Sequence, residues 1–94
     1  AVIGGGGFQK VDIAMHNDEM YAFYIDGAQG DSGTVKKFDG SGWIDLGGAG
    51  FTPDDIDNPS MVIDDNGVIF VAFSVKTGFI IIFEYMLTRY KKLG

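Results

Sequence analysis

Internal self-similarity constrains this chain more than any other feature. The segment Ile3-Gly4-Gly5-Gly6-Gly7-Phe8 returns as Leu46-Gly47-Gly48-Ala49-Gly50-Phe51, and its first two positions return again as Leu93-Gly94. The spacings from Ile3 to Leu46 and from Leu46 to Leu93 are 43 and 47 residues. Met20-Tyr21-Ala22-Phe23-Tyr24 matches Phe70-Val71-Ala72-Phe73-Ser74, an offset of 50. Phe38-Asp39 pairs with Phe83-Glu84, and Trp43…Leu46-Gly47 with Tyr90…Leu93-Gly94. Offsets that drift while the apolar segments persist are what loop insertions between retained elements produce.

A repeat of about 40 to 50 residues is either a helical pair or a four-stranded sheet. The local pattern selects strands. Met61-Val62-Ile63, then Asp64-Asp65-Asn66-Gly67, then Val68 to Val75 reads as strand, tight turn, strand, and Asn-Gly suits a hairpin turn with positive φ. Val11 to Met15, the turn His16 to Glu19 and Met20 to Ile25 hold the same places in the first copy. Thr34 to Phe38, the turn Asp39 to Gly42 and Trp43 to Leu46 form a second hairpin, matched by Phe79 to Tyr85 and Tyr90 to Leu93. The expected fold is all-β: two four-stranded antiparallel β-propeller blades forming one two-blade unit over 1–94, repeat 1 at about 4–46 and repeat 2 at about 47–94. Glu84 to Lys92 has fair helix propensity, but its alignment with Asp39 to Asp45 favours strand and turn. Phe79 to Phe83 is apolar at every position, so both of its faces call for burial.

Composition removes several function classes. There is no Cys and one His, His16, which excludes zinc-thiolate sites, thiol nucleophiles and a multi-His metal site within one chain. A net charge of −6 is unsuited to a phosphate backbone, so no nucleic-acid partner is expected. The apolar runs, Phe79 to Phe83 among them, are far short of the ~20 residues that span a bilayer, so no membrane insertion is expected. Residues 1–7 show no basic region leading into an apolar core, and the compartment stays open. No nucleophile–base pairing or paired-acid motif is readable, so the expectation is a protein that is not an enzyme and needs no cofactor.

Two blades do not close a ring, and each buries its faces only against neighbours. The chain begins and ends at the same phase of the repeat, at Ile3-Gly4 and Leu93-Gly94. The main expectation is therefore head-to-tail homo-oligomerisation, with a six-bladed trimer favoured over a dimer or tetramer. The alternative is a portion of a longer propeller.

The copies resemble β-propeller blades with a Trp-x-x-Leu-Gly-x-x-Gly-Phe strand and turn, then Pro-Ser and an Asp-x-x-Gly hairpin. Here these are Trp43 to Phe51, Pro59-Ser60 and Asp64 to Gly67. A looser similarity is to small two-blade lectins that trimerise into six-bladed, fucose-binding propellers. It rests on length, two-repeat layout and the Phe38-Asp39-Gly40-Ser41-Gly42-Trp43 turn. Those lectins place an Arg on the second strand and a Glu before the aromatic turn, where this chain has Val71 and Val35. Of the family's sugar-binding positions only the stacking aromatic, Trp43, has a counterpart.

Three groups are candidates for ligand binding. Trp43 and Tyr90, read as sharing one blade position, suit sugar stacking or inter-blade packing. Asp54, Asp55, Asp57 and Asn58, read as a loop before the second blade, could hydrogen-bond sugar hydroxyls, offer hard oxygens to Ca²⁺ or form solvated Asx-turns. No metal site is assigned to them, because their spacing matches no known calcium loop. Asp26, Gln29, Asp31 and Ser32 lie in a long loop, Asp26 to Gly33, that the second repeat shortens to Lys76-Thr77-Gly78. The two acidic loops are expected on one rim. Gly4 to Gly7 lacks the ending of a phosphate loop, and Arg89, Lys91 and Lys92 read as edge charges. Two functions follow: a glycan-binding, lectin-like module, or a structural or protein-interaction propeller.

Overall fold

Short runs of β-branched and aromatic residues become strands where turn residues bound them. In the computed structural model, which describes residues 10–46, 49–85 and 90–92, the strands are β1 (Val11–His16), β2 (Glu19–Asp26), β3 (Ser32–Phe38) and β4 (Trp43–Asp45), then β5 (Asp57–Ile63), β6 (Ile69–Ser74), β7 (Ile80–Tyr85) and β8 (Tyr90–Lys92). β1 to β4 form one antiparallel sheet in chain order. β5, β6 and β7 form a second, and the three-residue β8 lies along β7. The chain is thus all-β, with two antiparallel sheets. Glu84 and Tyr85 extend β7 and 90–92 pair with it, so the described part of 84–92 is strand rather than helix. The Gly4–Gly7 run, Gly47-Gly48, Arg89 and Leu93-Gly94 lie outside the described residues.

Turn chemistry sets the hairpins. Asn17 and Asp18 both adopt positive φ, 50° and 64°, a two-residue turn that Asn and Asp tolerate. The Asn66-Gly67 turn differs from expectation, because of the two only Gly67 has positive φ. There the Asp64 carboxylate accepts the Asn66 and Val68 N–H groups, each at 2.9 Å, and its carbonyl accepts the Gly67 N–H. The loop is longer than a two-residue turn because this side chain caps it.

β5 starts four residues before the expected Met61, and its register is irregular between Asp57 and Ser60. Asp57 and Asn58 therefore belong to a distorted strand start, not to the preceding loop. Pro59 is tolerated there because β5 is an edge strand.

The two sheets come closest along β1 and β5, then β2 and β5. Aromatic rings fill the space between the strands farther out. Phe23 lies 6.3 Å from Phe73, and Phe51, from the linking segment, sits 5.9 Å from Phe23 and 5.5 Å from Phe83. Tyr21, Ile25 and Val35 of the first sheet and Met61, Ile69 and Val71 of the second complete the core. β7 does not bury both faces. Ile81 packs on the core and Phe83 is buried in it, whereas Phe79, Ile80 and Ile82 are 71%, 61% and 41% exposed. On the first sheet, Val11, Ile13 and Met15 are likewise exposed on the face turned away from the second.

Strand register shows that two of the repeat correspondences exclude each other. Met20 pairs with Phe38, but Phe70 pairs with Glu84 and Val71 with Phe83. Aligning Met20 with Phe70 puts Phe38 opposite Glu84. Aligning Phe38 with Phe83 moves Met20 onto Val71. A slip of one residue exchanges the faces of a strand.

Candidate functional site

Antiparallel pairing sends the chain's polar segments to two opposite ends. Asp26, Asp31, Asp54, Asp55, Asp57 and Asn58 gather at the end where β2 and β6 finish and β3, β5 and β7 begin. Trp43 and Tyr90 open β4 and β8 at the opposite end. The structure therefore brings the acidic loops together and separates them from the aromatic pair. Nor do Trp43 and Tyr90 share a repeat position. Trp43 pairs with Phe38, Lys91 with Glu84 and Lys92 with Phe83, so either alignment matches Trp43 to Lys91 or Lys92.

At the acidic end, local turns aim the side chains. Asp26 caps a short 3-10 turn, Gly27–Gln29, accepting the Ala28 N–H at 3.0 Å. Its other oxygen accepts the Tyr24 and Thr34 hydroxyls at 3.4 and 3.3 Å, so it serves the loop. The linking segment docks alongside through backbone bonds. Gly33 O accepts the Phe51 N–H, Gly30 O the Asp55 N–H and Asp31 O the Ile56 N–H, at 3.0 to 3.1 Å. Thr52 Oγ1 accepts the Gly33 N–H at 2.7 Å, and Ser32 Oγ donates to Asp54 at 2.9 Å.

This docking leaves a groove of about 310 Å³ lined by Asp31, Asp55, Ile56, Asp57, Ser74, Val75 and Lys76. Asp55 is ion-paired with Lys76 at 3.2 Å and Asp57 with Lys10 at 2.7 Å. The Lys10 ammonium, with the Asn58 N–H, holds the Asp57 carboxyl below the ordinary carboxylate range. Asn58 donates to Ser74 Oγ at 3.0 Å, and that hydroxyl donates to Asp57 O. Asp31, half-buried and at φ 60°, makes no side-chain hydrogen bond or ion pair to the described residues. Phe79 closes the neighbouring hairpin, its carbonyl accepting the Val75 N–H. No group of three metal-ligating side chains occurs among the described residues, because Asp54, Asp55 and Asp57 turn to separate partners.

At the other end, Trp43 packs on Phe38 at 5.3 Å. Its Nε1 is buried with no hydrogen-bond partner among the described residues. The Asp39 carboxylate accepts the Ser41 and Gly42 N–H groups, each at 2.9 Å, which holds its pKa low. Glu19 is held low and Lys37 high by their 2.7 Å ion pair. Along the sheet between the two ends, Lys36 and Lys37 lay their stems toward Tyr24 and Tyr21, with the ammonium 5.7 and 5.8 Å from each ring centre. Burial raises both tyrosine pKa values.

Sequence reasoning missed Lys10, Ser74, Lys76 and Phe79. The first three are ordinary polar residues until tertiary structure faces them toward the acidic loops. Phe79 reads as a buried residue because its neighbours are apolar, yet it is 71% exposed. Compared with protein-family models, curated proteins and solved structures, the chain gives no match.

Proposed function

We propose that this chain is a two-blade propeller unit, completed by self-association, that binds a polyhydroxylated ligand of the glycan class without catalysing a reaction. The observation that carries the ligand reading is the groove at the acidic end, lined by Asp31, whose carboxylate has no hydrogen-bond or ion-pair partner among the described residues. An ionised carboxylate that keeps its lone pairs open is a strong acceptor for paired hydroxyl donors. Asp55 and Asp57 are balanced by Lys76 and Lys10, so the groove suits a neutral polyol better than a cation. The exposed Phe79 ring, on the hairpin that carries Lys76, offers an apolar face for sugar C–H groups. The blade reading is supported by sheets that approach along their first strands and are wedged apart by aromatics farther out.

A glycan array followed by calorimetric titration tests this. Asp31→Ala and Phe79→Ala are expected to weaken binding of an array hit tenfold or more, and Trp43→Ala to leave it unchanged. Loss of binding in Trp43→Ala alone would move the site to the opposite end. A silent array would favour the scaffold reading, for which the exposed apolar sheet faces speak.

A further inference from the structure

We infer that copies of this chain join head to tail, with the outer face of the first sheet in one copy seated on the outer face of the second sheet in the next. The inference rests on the blade reading above and assigns the surfaces that carry the assembly. It starts from the junction already inside the chain. There Tyr21, Phe23, Ile25 and Val35 of the first sheet meet Met61, Val71, Phe73 and Phe83 of the second.

Stacking that continues in one direction requires the two faces of a blade to differ in role. The face that looks forward in the first sheet must match the face that looks outward in the second. The alignment of Phe38 with Phe83 meets this condition. Through the pairs Met20–Phe38 and Val71–Phe83, then Met15–Met20 and Met61–Val71, it places Met15 on Met61. Through Phe23–Val35 and Ser74–Ile80 it places Val35 on Ile80.

The burial of these pairs is reciprocal. Met61 is 5% exposed inside the junction and Met15 is 58% exposed outside it. Val35 is 0% exposed inside and Ile80 is 61% exposed outside. Each outer face thus holds apolar residues at positions that the internal junction buries. Val11 and Ile13 flank Met15, and Val62 and Ile82 accompany Ile80 on its face. A second copy repeating the internal junction covers both sets. The contact is heterologous, because the two surfaces of one chain differ, and such contacts form rings when the rotation closes. The competing alignment of Met20 with Phe70 makes the two inner faces equivalent. It therefore predicts pairing of like outer faces.

Light scattering on wild type, Met15→Asp, Ile80→Asp and their equimolar mixture tests the assignment, with circular dichroism checking that the strands persist. Wild type is expected at a multiple of 10.1 kDa. Each variant loses one junction surface, and its self-association should weaken about 100-fold or more, since a buried charge lacks a partner. The mixture retains one intact junction and should stop at a dimer. A variant alone with the wild-type mass, or a mixture that stays monomeric, overturns the assignment. A monomeric wild type overturns the ring reading itself. In a chain with no other cysteine, Met15→Cys and Ile80→Cys should cross-link when mixed and not separately. Cross-linking of either variant with itself shows pairing of like faces and overturns the inference.

Discussion

The Asp12 carboxylate in β1 accepts the backbone N–H of Met61 in β5 at 2.8 Å, tying the two sheets where they come closest. Met61 opens no bond to β1 through a strand ladder, because β1 and β5 belong to different sheets. The other oxygen of Asp12 accepts the Ile13 N–H at 3.0 Å, fixing the side chain for the reach. Asp12→Ala leaves the part-buried Met61 N–H without this acceptor and is expected to cost about 1–3 kcal/mol. Asp12→Asn keeps an acceptor oxygen and should recover more than half of that. Urea unfolding at fixed protein concentration measures both, and equal losses would contradict the account.

Phe73 is fully buried and touches Phe23 and, edge to face, Phe83. Phe73→Ala empties the middle of the wedge, which two sheets held along β1 and β5 cannot collapse to fill. The expected loss is about 3–5 kcal/mol, read as a fall in the urea midpoint.

A Cβ at Gly33 would stand 2.5 Å from Phe23 Cε1 and 3.0 Å from Thr52 Cγ2. Phe23 is itself fully buried and has no space to yield. Gly33→Ala is therefore expected to destabilise by about 1–3 kcal/mol through overpacking. Gly42, in the turn at the opposite end of β3, where a Cβ meets nothing within 4 Å, serves as the control, and Gly42→Ala should change the thermal midpoint far less.

Asp39 and Asp57 are both held below the ordinary carboxylate range in the folded chain. A depressed folded pKa contributes stability that is present above the unfolded pKa. That stability is lost as pH falls toward and through the folded value. The two shifts have different sources and should respond differently to salt. The exposed Lys10–Asp57 pair is screened, so Asp57 should move back toward its ordinary value in 1 M salt. Asp39 is held mainly by adjacent N–H groups and should move less. Carboxyl carbon shifts followed by NMR from pH 7 to 2 report both. A larger salt response at Asp39 would refute the distinction.

The strands and turns were legible in the sequence because their causes are local. Short runs of apolar and β-branched residues mark β1, β2 and β6, and Asn17-Asp18, Asp39-Gly40 and Gly67 mark where the chain reverses. The convergence of Asp26–Gly33 and the Asp54 segment was readable too, since antiparallel connectivity alone puts both at one end. Its partners were not. Lys10 meets Asp57 across 47 residues, and no pattern near Lys10 announces that contact.

By itself, then, the sequence determined an all-β chain of repeated hairpins, because φ preference and side-chain period act over a few residues. Tertiary structure decided which face of each strand is inside. Four apolar residues in a row, Phe79 to Ile82, look alike in sequence, yet only Ile81 among them packs on the core. It also decided that Phe38 and Met20 cannot both keep their apparent repeat partners, and that Met15 and Ile80 face outward. Those outcomes depend on strand register, and a one-residue shift in register reverses every face while leaving the local pattern unchanged.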